Sequence, residues 1–140
     1  MKWGRMLLFL LFLSLYLLAM WNANPFLLMR EQELVFMWNE TPSWRTFFER
    51  EDLRVIDVVT DPNKVSHILG TMTLSFLAFH WLGWRWKVIT VLTVFVIFVE
   101  MVQPFFGRTA WFVDVFLNIL GVGLGTFLVW YYRNRWEVVT

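Results

Sequence analysis

The sequence predicts an all-α polytopic membrane protein, a bundle of four transmembrane helices with short interfacial helices in the first outer loop. Three observations predict it. First, 59% of the 140 residues are hydrophobic and only 16% are charged, with a mean hydropathy of +0.56. Soluble domains carry about 25% charged residues, and a chain this short has too small an interior to hide the surplus, which must face lipid. Second, four apolar runs come near the ~20 residues at 1.5 Å each that a bilayer core requires. Third, the basic residues of the short flanking segments alternate with those runs in the way membrane insertion demands.

The first run covers 6–21 and follows Lys2 and Arg5. A basic start before a short apolar stretch also describes a secretory leader, but Ala19-Met20-Trp21-Asn22-Ala23 lacks the small-x-small cleavage spacing. The helix is therefore expected to be retained. Residues 22–63 follow, holding four arginines and eight acids and divided by Pro25, Pro42 and Pro62. They also hold Phe26, Leu27, Leu28, Leu34, Val35, Phe36, Met37, Trp38, Trp44, Phe47 and Phe48, too many large apolar groups for a disordered linker. Two short amphipathic helices on the outer interface fit, opened by Asn24-Pro25 and Thr41-Pro42, because proline suits the first helical position and the preceding polar residue caps it.

The second and third runs, 65–84 and 88–102, are parted only by Arg85, Trp86 and Lys87, which predicts an antiparallel hairpin with a basic turn. The fourth, 111–132, ends in Trp130-Tyr131-Tyr132 followed by Arg133 and Arg135, an aromatic belt and then cations. Basic residues thus mark the N-terminus, the 85–87 turn and the C-terminus. The positive-inside rule places all three in the cytoplasm and the remaining connections outside. The whole chain is expected to form a single membrane domain.

Composition also excludes functions. Twelve Lys and Arg against eleven Asp and Glu, net +1, supply no basic face for nucleic acid. With no cysteine there is no disulfide, thiolate metal site or cysteine nucleophile, and two histidines cannot build a multi-histidine centre. No cofactor or metal is expected: a histidine with two carboxylates holds a metal in principle, but nothing here has a specific ligand spacing.

Ionisable residues within membrane helices cost several kcal/mol unless paired, so their positions are informative. Lys64 and His67 are three apart at the outer end of the second helix, as are Glu100 and Gln103 at the outer end of the third. Asp114 and Asn118 are four apart at the outer start of the fourth. These spacings place each pair on one helix face. With alternating helix direction, all three pairs reach one depth in the outer leaflet, where the turn with Pro104, Gly107 and Arg108 joins them. His80 lies about 20 Å along the same helix from His67 and reads as an interfacial residue beside Trp81, Trp84 and Trp86. Gly121 and Gly125 form a small-xxx-small pair, meaning either close packing within the bundle or a homo-oligomer contact.

The ordered set Asn63-Lys64-x-x-His67, Glu100-x-x-Gln103, Gly107-Arg108 and Asp114-x-x-x-Asn118-x-x-Gly121 resembles the signature of the VanZ-like family of small bacterial membrane proteins, over about residues 61–125. The family often has Asp directly before the Lys, where this chain has Asn63, with Asp61 two residues earlier. The resemblance implies a plasma-membrane protein whose founding member is associated with resistance to the lipoglycopeptide teicoplanin. It implies a site at the matching residues without assigning their roles.

Three readings of the constellation follow. As a ligand-binding site, Lys64 and Arg108 would take phosphate or carboxylate, while Glu100, Gln103, Asp114 and Asn118 orient them or meet sugar and amide groups. The ligand is then a membrane lipid or lipid-linked envelope precursor, with teicoplanin susceptibility affected in consequence. As an enzyme, His67 with Glu100 or Asp114 would act as general base and orienter, with Arg108 stabilising negative charge; adjacent Ser66 points elsewhere on the helix. As a structural subunit with no site, the acids would pair with Arg108 and Lys64 while Gln103, the most expendable member, and Asn118 bridge helices. Such bridges average only about 0.6 kcal/mol, which makes seven polar groups at one depth an inefficient scaffold. Transport is disfavoured, since nothing polar lies at the midplane and no inverted repeat is present.

Overall fold

The computed structural model describes residues 2–45, 47 and 61–137. Among them are helices α1 (Lys2–Trp21), α2 (Pro25–Glu31), α3 (Pro62–Leu82), α4 (Trp86–Val102) and α5 (Phe112–Glu137), with a 3-10 turn, Gln103–Phe106, extending α4. The described residues contain no strand. Four spans, Lys2–Trp21, Pro62–Leu82, Trp86–Phe106 and Phe112–Asn134, are long and apolar enough to cross a membrane, so the chain is an all-α, multi-pass membrane protein.

Local chemistry sets the helix ends. α3 starts at Pro62, three residues before the apolar run, because Asp61 adopts an extended conformation and its carboxylate accepts from the Asn63 N–H at 2.8 Å. It stops at Leu82 because Gly83 takes φ +75° and donates its N–H to the Phe79 carbonyl. The hairpin turn is therefore Gly83 to Arg85, two residues earlier than the basic residues suggested, and Trp86 and Lys87 already belong to α4. α5 runs past its apolar stretch to Glu137, arginine at 133 and 135 being a good helix former.

In the first connection, Asn24 caps α2 as expected, accepting from the Leu27 N–H at 3.2 Å. Pro42 opens no helix: residues 42–44 have no regular structure and Arg45 lies in a turn. Phe47 is in 3-10 geometry, and the other residues of that expected helix, Phe48 among them, lie outside the described residues. The chain from 32 to 45 instead runs irregularly across the end of the bundle, held by the fully buried Asn22. The Asn22 carboxamide oxygen accepts from the N–H groups of Asn24 and Val35, and Asn39 donates its N–H to the Phe105 carbonyl. Trp21 stacks on Phe106 and Trp38 packs on Phe105 and Phe106, so aromatic rings bind this crossing segment to the 3-10 turn.

The core lies where α3, α4 and α5 meet, around Leu74, Ala78, Phe79, Leu92, Val96, Val99 and Val122. α1 is peripheral: 11% of its span is buried against 39% of each other span, and it docks through Tyr16 and Met20. The most extensive helix contact is between α3 and α5, which run parallel with α4 antiparallel to both. Glycine permits that contact. A Cβ on Gly121 would collide with the Thr71 hydroxyl and the Ile68 carbonyl oxygen, and one on Gly125 would meet the Met72 carbonyl oxygen at 2.5 Å. Of the two meanings open for this glycine pair, packing within the bundle is the one realised. Both glycines are buried against α3.

Substituting valine for Gly121 or Gly125 is expected to destabilise the protein by at least about 1–3 kcal/mol, the usual result of overpacking. Gly123→Ala, with nothing within 4 Å of the added Cβ, is expected to be neutral or mildly stabilising. Thermal unfolding of the detergent-solubilised chain checks both, and equal melting points for the three variants would contradict the assigned contact.

Candidate functional site

Because α3 and α5 begin at the end where α4 finishes, their first two turns face the last turn of α4. This brings together the six helix residues expected from spacing: Lys64 and His67 from α3, Glu100 and Gln103 from α4 and its 3-10 continuation, and Asp114 and Asn118 from α5. All six are buried, and His67, Glu100, Gln103 and Asn118 have no accessible surface.

The Glu100 carboxylate is the hub. Its Oε2 accepts from Gln103 Nε2 at 2.9 Å and from Asn118 Nδ2 at 3.1 Å, and the Trp111 backbone N–H lies toward the same carboxylate. A carboxylate oxygen needs a donor, so Asn118 turns its NH2 to Glu100 and its Oδ1 to His67 Nδ1, 3.2 Å away. The tautomer with its proton on Nδ1 completes that contact, and the tautomer with its proton on Nε2 faces Asp114. Glu100 Oε2 lies 3.8 Å from the same ring nitrogen, and Asp114 Oδ2 lies 3.8 Å from Nε2, so carboxylates flank both edges of the imidazole. The other oxygen of Asp114 pairs with Lys64 Nζ at 3.5 Å.

Arg108 joins by a different route. Gly107 takes φ +72°, a left-handed conformation that glycine adopts without strain, and lets the chain reverse after the 3-10 turn. The Arg108 guanidinium then reaches the end of α1, donating from Nη1 to the carbonyls of Ala19 and Met20 at 3.2 Å each, and from Nη2 to Asn63 Oδ1 at 3.3 Å. Helix-terminal carbonyls lack intrahelical partners and carry the negative end of the helix dipole, which suits a cation. Burial pushes the Arg108 pKa below its ordinary value, and the nearby Glu100, Asp114 and Tyr16 oppose that shift. The scaffold pairing of both acids with both cations is thus half realised: Lys64 meets Asp114, whereas the hydrogen bonds of Arg108 go to α1 and Asn63.

Gln103 is fully buried, with its amide on Glu100 and 3.8 Å from Met20 Sδ. Ser66 is exposed and donates to the Asn63 carbonyl, and His80 is exposed and stacked on Phe76; neither takes part. Sequence reasoning missed the contribution of α1. Tyr16 is buried one turn before Met20, within electrostatic reach of Glu100 and Arg108. A lone phenol amid leucines was the available signal. Four buried polar atoms of this cluster lack a hydrogen-bond partner: Tyr16 Oη, His67 Nε2, Glu100 Oε1 and Gln103 Oε1. Among the described residues no three His, Asp or Glu side chains are arranged to hold a metal ion.

A family model described as VanZ/LLP1 matches residues 6–133, and the chain belongs to that family. No curated protein and no solved structure matches it.

The Lys64–Asp114 pair supplies a stability test. Removing one member of a buried pair leaves an uncompensated charge and costs about 3–5 kcal/mol, whereas replacing both with apolar groups costs far less. Lys64→Met is therefore expected to unfold more readily than Lys64→Met combined with Asp114→Leu. Denaturant titration of the purified variants reads the order, and the reverse order would show that the two side chains act separately.

Proposed function

We propose that this VanZ/LLP1 family protein binds the polar head group of an envelope amphiphile in the buried cluster at the outer leaflet of a bacterial plasma membrane. The observation that supports this reading is the set of unpartnered buried atoms. A buried polar atom without a partner costs about 1–3 kcal/mol, and membrane interiors offer no water to relieve it. Gln103 Oε1 is an acceptor, Glu100 Oε1 is one when the carboxyl is ionised, His67 Nε2 is one when Nδ1 carries the proton, and Tyr16 both donates and accepts. Such a set calls for donors. A head group with hydroxyl, amide or ammonium groups beside its phosphate or carboxylate meets that need, which describes a glycerol- or sugar-bearing lipid or a lipid-linked envelope precursor. Lys64 and Arg108 carry the charge for the anionic part, each exchanging a present oxygen partner for one of the ligand's. The aromatic segment across this end, with Trp21, Trp38 and Phe106, would cover the apolar part.

Orientation rests on charge. Lys2, Arg5, Arg85, Lys87, Arg133 and Arg135 belong to the end of the bundle opposite the cluster, so the positive-inside rule gives cytoplasmic termini and an outward site. Through the VanZ-like resemblance, the proposal extends to teicoplanin susceptibility, as a consequence of recognising or sequestering an envelope component.

A second reading is supported by the two carboxylates on opposite edges of His67. An imidazole held between Asp114 and Glu100 can receive a proton at one nitrogen and release one at the other, which is general acid–base chemistry on a bound head group. Turnover of a lipid substrate, lost in His67→Ala at unchanged protein level, would favour it over binding alone.

Native mass spectrometry of the protein extracted in a mild detergent tests the first reading. A retained lipid with a donor-bearing head group is expected, and the near-isosteric Glu100→Gln should weaken retention about tenfold or more, the value of one buried charge-assisted hydrogen bond. Retention identical in wild type and Glu100→Gln would overturn it. In a Gram-positive host, teicoplanin protection by the wild type is expected to be lost with His67→Ala, Glu100→Gln, Arg108→Ala or Asp114→Asn at matched membrane levels. Absence of protection by the wild type would remove the antibiotic from the proposal.

A further inference from the structure

The end of the bundle away from the polar cluster has a different character. α1 begins there, α3 ends and α4 begins, and a crevice of about 380 Å³ opens between the three. Phe9, Ala78, Val91 and Leu92 line it, and Arg85 and Lys87 rim it. A smaller depression of about 260 Å³ beside it is lined by Lys2, Trp3, Met6 and Trp81, and Trp81 lines the crevice as well, so the two meet. Arg5 reaches across from α1 to the His80 carbonyl at 3.4 Å and ties α1 to the end of α3 beside that junction.

Charge is one-sided here. The segments that build this region contain no Asp or Glu between residues 2 and 30 or between 62 and 99, so no acid within them neutralises Lys2, Arg85 or Lys87, all exposed. A second crevice at the same end, about 580 Å³ between α3 and α5, offers a contrast. Phe76, His80, Val129 and Tyr132 line it, with no lysine or arginine among them. Both crevices can seat hydrocarbon, but only the first joins an apolar trough to a cationic rim and tryptophans at headgroup depth. That combination matches an anionic amphiphile whose chain lies in the trough and whose phosphate meets the rim.

We infer that the α1–α3–α4 crevice is a binding site for an anionic phospholipid, selected by Arg85 and Lys87 with Lys2 beside them, and distinct from the head-group site at the other end. The occupant is a bilayer lipid, not a soluble anion, because the trough would otherwise present its apolar lining unfilled. A bound lipid would bridge α1 to the α3–α4 hairpin, adding to the contact of Phe9 with Trp81 and the Arg5 bond.

The test uses the purified full chain, delipidated in detergent and titrated with an equimolar mixture of phosphatidylglycerol and phosphatidylcholine, with bound lipid read by native mass spectrometry. Preferential phosphatidylglycerol binding is expected. Arg85→Gln combined with Lys87→Gln should lower that affinity about 30-fold while leaving phosphatidylcholine adducts, as removal of two interfacial cations requires. Val91→Trp, at a side chain 65% exposed and so outside the core, should fill the trough and weaken both lipids. Arg30→Gln with Arg45→Gln, the same charge change at the other end, should bind like wild type. The inference fails if the Arg85/Lys87 variant keeps the wild-type preference, if Val91→Trp leaves binding intact, or if excess inorganic phosphate displaces the lipid, which would mean a soluble-anion site.

Discussion

The close parallel approach of α3 and α5 fixes nearly everything else in this bundle. Lys64 faces Asp114 and His67 faces Asn118, pairs separated by 50 and 51 residues along the chain. Gly121 meets Thr71 and Gly125 meets Ser75 in the same register, further along the same seam. The glycines and the polar residues are thus one continuous stripe, small where backbones touch and polar where the helices start. In a bilayer the hydrophobic effect does little to press helices together, so contact comes from close packing and internal hydrogen bonds. Thr71 and Ser75 can line the seam because their hydroxyls donate to the carbonyls of His67 and Thr71 in their own helix.

The remaining elements complete the polar end in two ways. α4, antiparallel to its neighbours, contributes the Glu100 hub that neither α3 nor α5 supplies. α1 closes the side through Tyr16 and Met20 and is fastened by Arg108, whose guanidinium crosses to the last carbonyls of α1. Asn22, immediately after α1, then turns the chain back over this end through three hydrogen bonds. Lys64 and Arg108 match Glu100 and Asp114 in formal charge, the economical arrangement for ionisable groups in a low-dielectric interior. Matched charge is not the same as saturation: four buried polar atoms of the cluster are left without a hydrogen-bond partner.

The two ends of the molecule therefore answer to different physics. One buries mixed charges in a tight hydrogen-bonded knot with aromatic cover. The other displays cations of one sign around an open apolar trough, where tryptophan and long basic side chains suit the boundary between hydrocarbon and headgroups.

The sequence by itself determined the class and the membership of the buried polar cluster. Length, hydropathy and the shortage of charge required four membrane helices, and spacings of three or four selected the six buried polar residues, because helical periodicity alone decides which side chains share a face. Tertiary structure decided who pairs with whom. Whether Arg108 serves an acid or a helix end depends on where α1 docks, and α1 docks through one buried phenol and a thioether in an otherwise uniform leucine-rich helix. Whether Gly121 and Gly125 meet a second copy or α3 depends on register, which periodicity leaves undetermined. Gln103 reaches Glu100 from three residues along the same helix, as spacing foretold, whereas Asn118 comes within 3.1 Å of that carboxylate oxygen only because α4 and α5 pack together, a distance set by backbone approach.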